Sequence, residues 1–232
     1  MANRYTRIKE RMVIIMREFE LVGKITDYLD KYRIRYSKEV RMGIGVPDIS
    51  INIGASRSMA LITDYYLLSL VEYINVRNNA TVFELAEYFS FDKPKIQSYL
   101  NRLAEERIII QNNNVIHKNR KIFGLDLGKT ISIEAKIKDW KSGILQAERY
   151  LMFSDFSYLA LPEEKIRNVN LTELNESGIG LIAVKKDGLE EVVKPIQSHE
   201  CEYKQKYMIT SSIIKNNKNT INRKADGIFS NL

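Results

Sequence analysis

Residues 4–33 carry a helical period. Ile8, Met12, Ile15, Met16 and Phe19 recur at three- and four-residue spacing, and Leu21, Ile25, Tyr28 and Leu29 continue the stripe. One bent helix or two successive helices are expected there. The period then drops to two. Tyr36 to Val40 reads as a strand, Gly43 and Gly45 punctuate, and residues 46–53 alternate until Gly54 closes the run. Ile49, Ile51 and Ile53 fall on one face of this second strand, with Asp48, Ser50 and Asn52 on the other.

Residues 59–118 follow a different order. Leu61, Tyr65, Leu68, Val71 and Ile74 make the stripe of a helix over residues 60–76, ended by Arg77-Asn78-Asn79. Thr81 with Glu84 three positions on is a capping box that opens a short helix over 82–89. Ser90-Phe91-Asp92 turns the chain, and Pro94 suits the first turn of a third helix reaching Glu106. The apolar runs 107–111 and 115–117 flank Asn112-Asn113-Asn114, a hairpin signal. After Arg120 the first pattern returns. Strands are expected at 122–127, 131–137, 156–161 and 180–184, with helices at 144–153 and 203–215 and a turn at 185–188. The Asn- and Lys-rich stretch 215–224 reads as solvated. The class is α/β (α+β), interrupted by a helical unit.

Composition narrows the chemistry. A chain of 232 residues, 44% hydrophobic and 28% charged, has the make-up of one ordinary domain or two small ones. Cys201 is the only cysteine and His117 and His199 the only histidines. Disulfide frameworks, paired-cysteine zinc sites and triple-histidine metal sites are therefore excluded. Enzymatic chemistry would fall to carboxylates and lysines. No apolar run approaches the roughly 18 residues of a membrane span. The patch 12–16 is too short for a signal peptide, so a cytoplasmic protein without a membrane partner is expected. The net charge of +7 suggests a polyanionic partner. It is unevenly placed: residues 1–58 hold twelve Lys and Arg against seven Asp and Glu, whereas residues 59–120 hold seven of each.

The strand 131–137 carries the sharpest signal. Ile131, Ile133, Ala135 and Ile137 share one face, and Glu134 and Lys136 project from the other. An ion pair on a solvated face would account for that much. Asp48, however, also leaves an apolar strand and is preceded by Pro47. Pro-Asp followed later by Glu-Ala-Lys resembles the PD-(D/E)XK nuclease superfamily, the restriction-endonuclease-like fold. Lys138-Asp139-Trp140-Lys141, Gln146-Ala147-Glu148-Arg149-Tyr150 and residues 155–162 are similar to the helix and strand that follow in that superfamily. The resemblance covers roughly residues 18–54 and 121–195. Asp48 and Glu134 stand 86 positions apart, where the family usually has a short hairpin. Residues 85–89 and 96–103 resemble the second and third helices of a winged helix-turn-helix, so an inserted domain explains the gap. Asp126, eight positions before Glu134, is the rival acid but lacks the proline.

The resemblance implies a restriction-endonuclease-like mixed sheet flanked by helices, formed by 1–58 and 119–200, with a winged helix-turn-helix inserted at 59–118. Residues 201–232 then form a C-terminal helix and basic tail. It implies a Mg²⁺- or Mn²⁺-dependent endonuclease acting on DNA. Asp48, Glu134 and the Ala135 carbonyl would be hard oxygen ligands for the ion. Lys136 would stabilise the developing anion, and Gln146 on the following helix would support the site. Glu18 or Glu20 could add an acid, though a solvated helix face explains both, and Trp140 reads as a packing anchor. Neither histidine receives a role. A winged helix would present Lys95, Gln97, Ser98, Asn101 and Arg102 to the major groove. Its neutral charge argues against a strong phosphate grip. Arg4, Arg7, Lys9, Arg11 and Arg17, with Lys204, Lys206, Lys215 and Lys218, could supply one instead. Protein contact or homodimerisation through the winged helix is the other role open to that unit. A non-catalytic DNA-binding protein built on the same scaffold is the alternative to a nuclease.

Overall fold

The computed structural model describes residues 17–56, 59–217, 227–230 and 232. The first part of the expected helix at 4–33, with Arg4, Arg7, Lys9 and Arg11, lies outside them, as does Lys218. The described part is α1 (Glu18–Lys31), followed by β1 (Arg35–Lys38) and β2 (Ile49–Ile53). The chain then leaves the sheet for α2 (Tyr65–Arg77), β3 (Asn79–Thr81), α3 (Val82–Phe89), α4 (Lys93–Glu105), β4 (Ile109–Asn112) and β5 (Val115–Lys118). It returns as β6 (Lys129–Ala135), α5 (Trp140–Tyr150), β7 (Phe156–Pro162), α6 (Leu171–Ser177), β8 (Gly180–Val184), β9 (Leu189–Val193) and α7 (Tyr203–Asn216).

The protein is a mixed α/β structure. Its main sheet runs β1-β2-β6-β7-β8-β9 and is flanked by helices. Antiparallel pairing joins β1, β2 and β6, parallel pairing joins β6, β7 and β8, and β9 closes antiparallel on β8. Period two decides the faces. Ile49 and Ile51 of β2, Ile131 and Ile133 of β6, and Tyr158 of β7 pack with Leu21, Ile25 and Leu29 of α1 in one buried cluster. Each such aliphatic side chain contributes roughly 1.5–3 kcal/mol. The opposite face is polar but equally buried. Ser50, Asn52, Thr130, Ser132 and Ser157 are all at most 1% exposed. Asn52 Nδ2 donates to the Leu127 carbonyl at 2.8 Å, and the hydroxyls of Ser132 and Ser154 lie 2.7 Å apart. Thr210 of α7 reaches the Thr130 hydroxyl at 3.5 Å. These side chains are small enough to let α7 approach this face closely, although the hydroxyls of Ser50, Ser157 and, on α7, Ser211 are buried without a hydrogen-bond partner.

Residues 59–118 form their own core, in which Leu68, Leu70, Ile74, Leu85, Ile96, Leu100 and Ile116 are buried together. Three helices pack on an antiparallel sheet of order β3-β5-β4. The expected capping box is present: the Glu84 N–H donates to Thr81 Oγ1 at 3.2 Å and the Thr81 N–H to Glu84 Oε2 at 2.7 Å. Asp92 caps α4 through the Lys95 N–H at 2.8 Å, with Pro94 in the first turn. Helix α2 starts five residues later than its periodicity implies, because Asp64 accepts the Tyr66 and Leu67 N–H groups as N-cap. Strand β3 was not expected. Asn78 takes a left-handed φ of 65° and turns the three residues after it onto β5.

One expected strand is absent. Residues 122–127 are irregular because their backbone groups are met by a side chain. The Leu125 N–H donates to the Tyr203 hydroxyl at 3.2 Å, and that hydroxyl reaches the Ile122 carbonyl at 3.2 Å. Tyr203 belongs to α7, which packs on both units. Its Tyr207 is fully buried in the second core and donates to the Ala60 carbonyl at 2.8 Å, while Lys204 pairs with Glu72 at 2.9 Å. No helix among the described residues is long and apolar enough to cross a membrane.

Candidate active site

Strand pairing builds the site. Ile49 of β2 stands opposite Ile133 of β6, so Asp48, just before β2, stands level with Glu134. The Ala135 N–H donates to Asp48 Oδ2 at 2.7 Å. Glu134 is 4% exposed, and its Oε1 lies 2.6 Å from Lys136 Nζ. The pair is therefore buried beside the sheet rather than spread on a solvated face. Lys136 continues the strand, its N–H donating to the Ala160 carbonyl of β7 at 3.0 Å. Asp48, Glu134 and Lys136 are thus brought together across the insertion.

Helix α5 covers this group. Asp139 caps it through the Ser142 N–H at 3.1 Å. Gly143 faces the strand where a Cβ would stand 2.9 Å from Lys136 Cγ and 2.6 Å from Leu159 Cδ1. The missing side chain is the space in which the lysine stem runs. Two turns on, the Tyr150 hydroxyl donates to Glu134 Oε2 at 2.6 Å and lies 3.2 Å from the Val46 carbonyl. Gly45 leaves room for that ring, since a Cβ there would come within 2.7 Å of Tyr150 Cε1. Tyr150 escaped the residue-level reading because an aromatic at helical spacing looks like core. The signal available was its position one turn after Gln146. The Gln146 Oε1 atom is buried and meets no hydrogen-bond donor.

The other candidates separate clearly. Asp126 is exposed at the far end of β6, on the order of 20 Å along the strand, where its Oδ1 accepts the Gly128 N–H at 2.8 Å. Glu18, in the first turn of α1, is exposed, and its charge acts on both Asp48 and Lys136. Glu20 is committed to the Arg17 N–H at 2.8 Å. Trp140 packs against the cluster under α5 and α6. On α4, Lys95, Ser98, Asn101 and Arg102 are exposed and Gln97 is half-buried. Gln97 bridges Asn101 at 2.9 Å and Gln111 at 3.1 Å, and Arg102 pairs with Asp64 at 3.4 Å.

Burial shapes the site's acidity. It pushes the Asp48 carboxyl from its ordinary 3.8 up to about 6, with the charges of Glu134 and Glu18 adding and the Ala135 N–H and Lys136 opposing. Burial would lower Lys136, but its bond to Glu134 and the surrounding acids outweigh that and leave it raised. Burial, then the bond to Glu134, push the Tyr150 hydroxyl far up, so it stays a donor at every physiological pH. Between about pH 4 and 6 the folded protein keeps a proton on Asp48 that the unfolded chain has released, so stability falls as pH rises through that window. Asp48→Asn keeps an acceptor for the Ala135 N–H and carries no charge. Its melting temperature is expected to exceed wild type above pH 7 and to converge with it near pH 3.5. A gap that does not change with pH would contradict this.

Among the described residues no three His, Cys, Asp or Glu side chains cluster closely enough to hold a metal. Asp48, Glu134 and the Ala135 carbonyl are nonetheless hard oxygen donors, and the Gln146 Oε1 on the covering helix is buried without a partner. Mg²⁺, which retains several waters, asks little more of a protein. The donor chemistry therefore fits a hard divalent cation. No protein-family model matches the chain, and no curated protein matches it. Among solved structures, a protein of unknown function from Silicibacter pomeroyi is similar over 88% of each chain, at 12% identity and a TM-score of 0.43.

Proposed function

We propose that the chain is a metal-dependent endonuclease of the PD-(D/E)XK, restriction-endonuclease-like class, cutting DNA, with a winged helix inserted between the strands that carry its acids. The observation that carries this reading is the meeting of Asp48, Glu134 and Lys136 at one end of the sheet despite the inserted unit. The order of three helices, a short third strand and an antiparallel ribbon in residues 59–118 supports the winged-helix part.

Asp48, Glu134 and the Ala135 carbonyl would hold Mg²⁺ or Mn²⁺, which when bound supplies positive charge to the scissile phosphate. Glu134 fixes the Lys136 ammonium through one oxygen while Tyr150 fixes Glu134 through the other. The ammonium, 17% exposed, is then preset beside the place where negative charge develops. The Ala135 N–H holds Asp48 in register with Glu134.

The test is cleavage of plasmid, single-stranded and branched DNA with Mg²⁺ and with EDTA. Cleavage is expected to require the metal and to fall by about 10³-fold in Glu134→Gln. Metal-independent cutting, or equal rates in the variant, would overturn the reading. A second reading, a DNA-binding protein that keeps the fold as scaffold, draws on the fact that both Glu134 oxygens already have partners. Duplex binding with steep salt dependence and no cleavage of any substrate would favour it.

A further inference from the structure

The inserted unit is rich in aromatic rings rather than in charge. Over residues 59–120 Lys and Arg equal Asp and Glu, so the unit lacks the surplus of cations with which proteins grip duplex phosphates. Tyr66 and Tyr88 nevertheless leave 49% and 64% of their surface in solvent. Each is the outer ring of a packed group. Tyr66 lies 5.2 Å from Phe91, and Tyr88 lies 4.6 Å from Tyr73 and 4.9 Å from Phe89. Phe89 and Phe91 stack at 6.4 Å and join the two groups into one strip. Cations border it: Lys95 Nζ stands 3.7 Å from the Phe91 centroid and the Arg77 guanidinium 4.3 Å from Tyr73. At the Tyr88 end, α2, α3 and Lys204 of α7 enclose a cleft of about 410 Å³.

We infer that this strip binds unpaired bases of a single-stranded nucleic acid, with Tyr66 and Tyr88 as stacking platforms and Arg77 and Lys95 as phosphate contacts. Stacking needs no net charge and tolerates any base, so it suits a unit that is neutral overall. The bordering cations select an anion that carries flat π faces over a neutral apolar partner. The packed inner rings hold the two platforms in fixed orientation. The inference rests on the reading that the chain handles nucleic acid, and does not depend on its cutting it.

The experiment is fluorescence anisotropy of a labelled deoxyoligonucleotide, single-stranded and annealed to its complement, in EDTA so that cleavage plays no part. The single strand is expected to bind more tightly than the duplex. Tyr66→Ala and Tyr88→Ala should each weaken it by about 10-fold or more, whereas the Phe replacements, which keep the π face and the fold, should bind like wild type. Lys95→Gln, at an exposed position, should reduce the slope of log K against log salt by about one. Duplex binding equal to or tighter than single-strand binding, Ala variants that bind like wild type, or no binding at all would overturn the inference. Binding without cleavage in Mg²⁺ would overturn the nuclease reading alone, and cleavage without single-strand preference would overturn only the strip.

Discussion

Lys136→Ala is expected to lower DNA cleavage by about 10²–10³-fold and to destabilise the fold as well. From residue types alone, Lys136 reads as dispensable for folding. The structure makes it the counter-charge of a buried acid: its ammonium lies 2.6 Å from Glu134, which is 4% exposed. Removing it leaves Tyr150 as the remaining side-chain partner of an uncompensated buried carboxylate. Breaking such a pair costs about 3–5 kcal/mol, less whatever water recovers by entering the vacated space. The double variant Lys136→Ala/Glu134→Gln separates the two effects. Its neutral amide still accepts from Tyr150 and no charge is orphaned, so its melting temperature should return most of the way to wild type while cleavage stays lost. A double variant as unstable as the single one would show that the lysine stem, packed beside Gly143, supplies the stability and the charge does not.

How far the sequence discloses this molecule depends on how local each cause is. The capping box at Thr81 and the alternation in 131–137 are written in neighbouring residues; the helix forms where the pattern places it, and the strand begins and ends two residues earlier, at Lys129–Ala135. Asp48 and Glu134 are distant, yet each is an acid interrupting an apolar strand, and that mismatch is visible without the fold. Tyr150 offers no such mismatch, since a tyrosine on the buried face of α5 satisfies the helix pattern whether or not its hydroxyl has a task. Strand β9 is hidden because Glu190 and Glu191 interrupt its alternation; Glu191 is accommodated by accepting the Tyr158 hydroxyl at 2.6 Å. The polar face of β2 and β6 suggests solvent, and is buried instead, because α7 arrives from more than 70 residues later in the chain. Residues 122–127 fail as a strand for the same reason: the hydroxyl that meets their backbone groups comes from Tyr203.

Gly128→Ala is expected to be among the most destabilising single substitutions outside the hydrophobic clusters. Gly128 lies where the chain re-enters the sheet, opposite the point where it left. Its φ is +66°, and a Cβ would stand 2.2 Å from the Ile53 carbonyl oxygen and 2.5 Å from the Ala55 nitrogen. Both are backbone atoms, so no rotamer change relieves the clash, and β2 would have to move away from β6. The junction has little freedom to do so. Asn52 holds it from inside, donating to the Leu127 carbonyl at 2.8 Å and accepting the Ala55 N–H at 3.3 Å. Asp126 holds it from outside through the Gly128 N–H at 2.8 Å and, by its carbonyl, the Ser56 N–H at 3.2 Å. Overpacking and a left-handed alanine together cost about 3 kcal/mol or more. In a chain of this size that lowers the melting temperature by roughly 6–12 °C. Gly43→Ala is the control: its φ is +80°, but nothing lies within 4 Å of the added Cβ, so the conformational cost of about 1 kcal/mol stands alone. Equal losses in the two variants would mean that the junction yields. A clearly larger loss at Gly128 would identify this end of the β2–β6 pair as the rigid point that holds Asp48 level with Glu134 at the other end of the same two strands.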